Sequence, residues 1–244
     1  IHSKLKRPNV LINVPGGTDN SELIEELVYA GIPINIMLVC SHDHYMDSAR
    51  AYIDAIEKRI EAGLNPAVPA FSSVLTFHFM QELSMKMGRD AAIQVTRATA
   101  RQIYRSMREM HTSQKWERAY NSGARFLRLI WVNSLGEHMT HNDSELVNHL
   151  VAPLTVTSMS VTVLNESRCS GQPQSVMPEN GDDCDEILAT SRMTGINFEA
   201  VASHLQQDVA DSLVRSWIML LDMLARKTVS IIGKKTTITE GVQS

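Results

Sequence analysis

The feature that most constrains this chain is the alternation of short apolar runs with longer stretches of helical period. Val10–Val14 is short and β-branched and ends in Pro15-Gly16-Gly17-Thr18, the pattern of a buried strand entering a loop. Asp19 and Glu22 have the spacing of a capping box for a helix carrying Leu23, Ile24, Leu27 and Val28 on one face, with Gly31 at its C-cap. Ile34–Val39 is a second strand. A helix over Asp43–Ala62 follows, with Ala49, Tyr52, Ile53, Ile56 and Ile60 at helical spacing and Gly63 as its stop. A third strand is expected around Ala67–Ser72, although Pro66 and Pro69 interrupt it and Pro69 has no N–H for a ladder. Helices fill most of Val74–Ala119. Phe126–Val132 and Leu154–Met159 read as further strands, with a short helix from Asp143 between them and a Ser/Gly/Pro/Asn-rich loop over Glu166–Asp183. Two helices, Phe198–Leu205 and Val209–Arg226, close the pattern, the second with Leu213, Trp217, Leu220, Leu221 and Leu224 on one face. Strands alternating with helices specify βαβ units on a parallel sheet. About five units can be counted, where a closed (β/α)8 barrel needs eight. The fold class is therefore α/β, an open parallel sheet or an incomplete barrel, over residues 1–227, with 228–244 as a C-terminal tail.

Charge and cysteine usage narrow the function classes. A formal charge of -4 without a basic stripe argues against a nucleic-acid partner. No run approaches the roughly 18 apolar residues of a membrane span, and no signal peptide precedes the first strand. Cys40, Cys169 and Cys184 lack C-x-x-C spacing and read as reduced thiols of a cytoplasmic protein. The first residue is Ile1, which fits a processed chain, a trimmed one or an incomplete reading frame. No cofactor motif is present. His42-Asp43-His44 and His138-x-x-His141 offer metal-ligand residue types, but nothing fixes a tetrahedral geometry, so no metal site is assigned. Gly16-Gly17-Thr18 precedes a helix and is a weak anion-binding signal, lacking both the Walker lysine and dinucleotide spacing. The scattered methionines read as packing.

Several segments, taken in order, resemble one enzyme family. Pro8-Asn9-Val-Leu-Ile-Asn13-Val-Pro-Gly16 resembles the strand that carries the Schiff-base lysine in transaldolases, with Asn13 at the lysine position. Gly31-Ile-Pro-Ile-Asn35-Ile-Met37-Leu-Val-Cys-Ser41 resembles the strand that follows it in that family. Tyr52-Ile53 with Glu57 and Arg59-x-Glu61-Ala62-Gly63, then Trp116-Glu117 with Gly123-Ala124-Arg125 and Leu129-Ile-Trp-Val-Asn133, continue the likeness. Thr155-Val-Thr-Ser-Met159 and Gly195-Ile196-Asn197 complete it. The resemblance, to the bacterial and plant type, implies a (β/α)8 barrel of which this chain matches the fourth to eighth βα units. The family's T-S-N-P strand motif is absent here. The implied activity is transfer of a dihydroxyacetone unit between sugar phosphates in the pentose phosphate pathway, through an imine on the lysine.

The same resemblance implies the site residues and shows what has changed at them. Asn13 replaces the amine, and an amide nitrogen cannot form an imine. Asn35 matches an asparagine that hydrogen-bonds substrate. Met37 stands at a threonine that places a catalytic water, and a thioether is a weak acceptor and no donor. Phe71 keeps an aromatic position and Ser73 a spacer, while Val74 replaces an arginine that grips phosphate. Asn133 and Glu137 fall in a loop where the family has serine and lysine, and Glu137 would repel a phosphate. Lys4 and Lys6, just before the first strand, read as part of a solvated terminus. The expectation is a transaldolase-like chain with impaired catalysis and no cofactor, its candidate ligand a sugar phosphate. The alternative is a non-catalytic sugar-phosphate-binding or protein-interaction module. Open strand edges call for a cover: a partner, a homo-oligomer or a complementing fragment. A degenerate or incomplete product without a selected function is the third reading.

Overall fold

The computed structural model describes residues 2–5, 7, 9–133, 144–161, 164–165 and 176–240. Contacts divide the chain into two compact units, Ile1–Leu205 and Gln206–Ser244. The first unit begins with a short helix α1 (His2–Leu5), followed by β1 (Ile12–Pro15), a 3-10 turn (Thr18–Asn20) and α2 (Ser21–Tyr29). It continues with β2 (Ile34–Val39), α3 (His42–Glu61), β3 (Ala70–Val74), α4 (Thr76–Met87), α5 (Arg89–His111) and α6 (Gln114–Asn121). Then come β4 (Leu127–Val132), α7 (Ser144–Asn148), β5 (Thr155–Ser158) and α8 (Cys184–Arg192). The last helix, α9 (Phe198–Glu240), starts in the first unit and makes up the described part of the second.

The five strands form one sheet in the order β1-β2-β3-β4-β5, and every pairing is parallel. This is the sheet of a partial TIM-type barrel. Strand order equals chain order, which is how successive βα units curl toward a barrel rather than spreading on both sides of a central strand.

Strand side chains alternate between two faces of the sheet. Ile34, Ile36, Leu127, Leu129 and Trp131, all at 0 % exposure, share one face with Val14. Buried helix residues, among them Ile24 and Val28 of α2, Tyr45 and Ile56 of α3, Leu83 of α4 and Ile103 of α5, complete the core. The opposite face carries Asn13, Asn35, Met37, Phe71, Ser73, Arg128, Ile130 and Val156, of which Asn13, Arg128 and Val156 are exposed. In a barrel this face looks inward.

Local departures from the sequence reading have physical reasons. Asp19 and Glu22 form no capping box. Asn20 is the N-cap and makes no side-chain cap bond, because residues 18–20 turn as a 3-10 helix held from outside, with Thr18 hydrogen-bonded to Asp47 and the Gly17 N–H donating to Ser48 Oγ at 3.1 Å. The third strand starts at Ala70, beyond both prolines, so neither has to donate to the ladder. The Ser41 side chain caps α3 by accepting from the His44 N–H at 3.2 Å. The expected break between two closing helices does not occur: α9 runs unbroken through Gln206–Asp208, and the segment expected as a tail is helical to Glu240.

Candidate active site

Active sites of parallel barrels are built from residues that face into the barrel, so the inward-facing polar residues of the strands are the candidates. Asn13 and Asn35 are Cα partners on adjacent strands. The Asn35 Nδ2 amide donates to Asn13 Oδ1 at 3.1 Å. The Ser73 hydroxyl of β3 donates to Asn35 Oδ1 at 2.8 Å. A neutral hydrogen-bonded row thus crosses three strands, Ser73 to Asn35 to Asn13. Ser73 is 5 % exposed at one end, and Asn13 is exposed at the other. Asparagine is depleted in strands because it prefers turns, so two of them side by side in a parallel ladder contribute little to fold stability. Among the described residues the Asn13 NH2 has no partner, which leaves it as the donor end of the row.

The strand ends around this row are tightly built. The register of β2 on β3 shifts between Ile36 and Val39, and Leu38 lies at φ 60 within that bulge. Bulges of this kind re-aim side chains beside active sites. Met37 is half-buried and its carbonyl accepts from the Gly16 N–H at 2.8 Å. A Cβ on Gly16 would lie 2.9 Å from Val39 Cγ2 and 3.0 Å from Ser48 Oγ, so only glycine lets β1 approach α3 this closely. With the Gly16 and Gly17 N–H groups engaged by Met37 and Ser48, these glycines offer no free donor nest to an anion.

The other positions expected from the sequence scatter. Phe71 is the Cα partner of Asn35 on the inner face, and it also lines a cleft at the entry ends of β3 and β4. Val74 is buried at 3 % and alternates with Ser73, which puts it on the helix-covered face. Asn133 is 1 % exposed: its Oδ1 accepts from Thr76 at 2.9 Å and its N–H bonds Ser158 at 3.1 Å, so it ties β4 to α4 and β5 rather than joining the asparagine row. Glu137, with His138, His141 and Cys169, lies outside the described residues. His42 bonds Ser106 of α5 at 2.9 Å, and His44 is half-buried, its pKa lowered by burial. Among the described residues no cluster of three potential ligands can hold a metal ion, and no described helix is long and apolar enough to cross a membrane. Cys40 is 2 % exposed and burial pushes its thiol up to about 12, so it is no nucleophile at neutral pH. The family likeness gives Ser73 only a spacer's place. Strand alternation with Phe71 is the signal that places it on the inner face.

No described lysine lies on a strand. Lys58 pairs with Glu25, and that hydrogen bond raises its pKa. Burial would lower Lys115, but its bonds to Asp54 at 2.6 Å and Glu57 at 2.9 Å outweigh that and raise it. Neither is an activated amine, because imine formation needs the free base.

A family model described as Transaldolase/Fructose-6-phosphate aldolase matches residues 1–224. The chain belongs to that family. "Transaldolase 1" of Streptomyces avermitilis is 25% identical over 228 residues, covering 90% of this chain and 60% of that protein. "Transaldolase" of Frankia alni is 26% identical over 233 residues, 91% of this chain and 62% of that protein. "Transaldolase" of Neisseria gonorrhoeae is 24% identical over 209 residues, 85% of this chain and 60% of that protein. The chain thus spans about 60% of the length of these curated relatives. Membership explains the parallel sheet.

Proposed function

We propose that this chain is a transaldolase-like protein that holds a sugar phosphate without forming an imine, a pseudoenzyme of the pentose phosphate pathway. The observation that carries this reading is the amide of Asn13, bonded to Asn35, at the strand position where the family resemblance puts the Schiff-base lysine. The sequence likeness aligns the chain with the fourth to eighth βα units of the family barrel. The family reaction transfers a dihydroxyacetone unit between sugar phosphates, and its first covalent step needs a lone pair on an amine. An amide lone pair is delocalised into its carbonyl, so Asn13 has none to give. What Asn13, Asn35 and Ser73 can do is donate to and accept from hydroxyl and carbonyl groups, the chemistry of noncovalent sugar recognition. The protein acts in the cytoplasm in this reading. A second copy or a complementing fragment would cover the free edges of β1 and β5.

The test is a thermal melt with fructose 6-phosphate. A ligand that binds only the folded chain raises the melting temperature with its concentration. A saturable rise that disappears in Asn35→Leu supports the reading. No rise at millimolar ligand, or an equal rise in Asn35→Leu, contradicts it.

A further inference from the structure

A cleft of about 330 Å3 opens at the entry ends of β3 and β4, beside Asn35, whose Cα partner Phe71 lines it. Its walls include the rings of Phe71, Tyr120 and Phe126 and the side chains of Arg125 and Arg128, and among the described residues no acidic side chain lines it. Phe71 and Arg128 are Cα partners on the inner face, so ring and guanidinium stand side by side. Phe126 packs against Tyr120, with ring centroids 5.3 Å apart. Both arginines are exposed, and neither forms an ion pair with any described residue. Two cations with no ion-pair partner among the described residues are unusual in one cleft of a chain of net charge -4.

The cleft is also held open. The Tyr52 ring is fully buried, and its hydroxyl meets the Val68 carbonyl at 3.1 Å and the Arg125 carbonyl at 2.6 Å. One side chain therefore fixes the approach to β3 and the approach to β4, the two lips of the cleft. A ligand entering it need not first order the backbone.

We infer that this cleft binds a small aromatic phosphate of mononucleotide size, with the ring against Phe71, Tyr120 and Phe126 and the phosphate between Arg125 and Arg128. Guanidinium groups match phosphate oxygens in bidentate geometry, and aromatic walls favour a flat ring. The volume is at the small end of ligand pockets, roughly 300–1,000 Å3, which suits one ring and one phosphate rather than a dinucleotide.

Calorimetric titration with AMP tests this, with adenosine and inorganic phosphate as the two half-ligands. AMP is expected to bind at least about tenfold more tightly than either half, since a charge-assisted hydrogen bond contributes on the order of a factor of ten or more. The exposed pair Arg125→Gln/Arg128→Gln should keep the wild-type melting temperature and lose at least about tenfold in AMP affinity. Raised salt should weaken AMP binding to the wild type, because exposed charges are screened. No heat with AMP at 10-fold molar excess over a millimolar site (about 10 mM), equal affinity in the double variant, or equal affinity for inorganic phosphate would each overturn the inference.

Discussion

His111 should make this chain acid-sensitive, and replacing it with phenylalanine should remove that sensitivity. The ring closes the C-terminal end of α5 against Trp116 at 4.9 Å and Phe126 at 4.8 Å, and both its nitrogens are buried without a hydrogen-bond partner. Burial, assisted by the nearby positive Arg108, lowers its pKa from 6.5 to about 4. The unfolded chain therefore takes up this proton before the folded chain does. Stability linked to His111 is complete above about 6.5 and falls as the pH drops toward 4. Each unit of displacement corresponds to about 1.4 kcal/mol, so the full effect is about 3 kcal/mol, of which about 2 kcal/mol is lost by pH 5. Phenylalanine keeps the aromatic packing and has no proton to take up. Melting temperatures of wild type and His111→Phe, compared at pH 7.5 and pH 5, give the answer. At about 2–4 °C per kcal/mol for a chain of this size, the advantage of the variant should widen by roughly 4–8 °C on acidification. His44 and His78, also lowered by burial, act on both proteins alike and cancel in the comparison. An advantage that stays constant between the two pH values would refute the reasoning.

Three further outcomes follow from the geometry. Gly16→Ala puts a methyl within 2.9 Å of Val39 and should cost about 1–3 kcal/mol by urea denaturation; an unchanged midpoint would show that β1 and α3 can separate freely. Asn35→Ala should cost about 1–3 kcal/mol, because it strands the buried Ser73 hydroxyl, and the double variant with Ser73→Ala should be less destabilised than the sum of the two; strict additivity would mean that the Ser73–Asn35 bond is not made. Tyr52→Phe leaves the Val68 and Arg125 carbonyls without their donor and should lower both the melting temperature and AMP affinity; an unaffected AMP affinity would separate the clamp from the cleft.

Much of the sheet was legible because a parallel strand buried on its helix side must be apolar at alternate positions, as Ile34, Ile36, Leu127 and Leu129 are. The details that were not legible depend on contacts distant in sequence. Asp19 and Glu22 have the spacing of a cap, but Asp47 and Ser48 of α3 hold the preceding loop in another turn. Gln206–Asp208 carries no glycine or proline, so nothing local stops α9 there. At the site, the family likeness singled out Asn13 and Asn35, and the register makes them neighbours. It did not reveal Ser73 as their partner, since that depends on which face of β3 turns inward. Val74 and Asn133 were assigned to the site by likeness, and each is buried in packing of its own. The likeness named Phe71 and Arg125 separately but not the cleft they share, because residues 71, 120 and 125–128 meet only when α6 returns the chain to the sheet.

The central claim is that Asn13 cannot take part in covalent sugar chemistry. Borohydride reduction in the presence of fructose 6-phosphate, followed by intact mass measurement, tests it most directly, because it traps any imine irrespective of turnover. The expected result is an unmodified mass for the wild type, and no product release by Asn13→Lys, since lysine alone does not supply the carboxylates and phosphate-binding cation that the reaction also requires. A stable ketose adduct on the wild-type chain would contradict it.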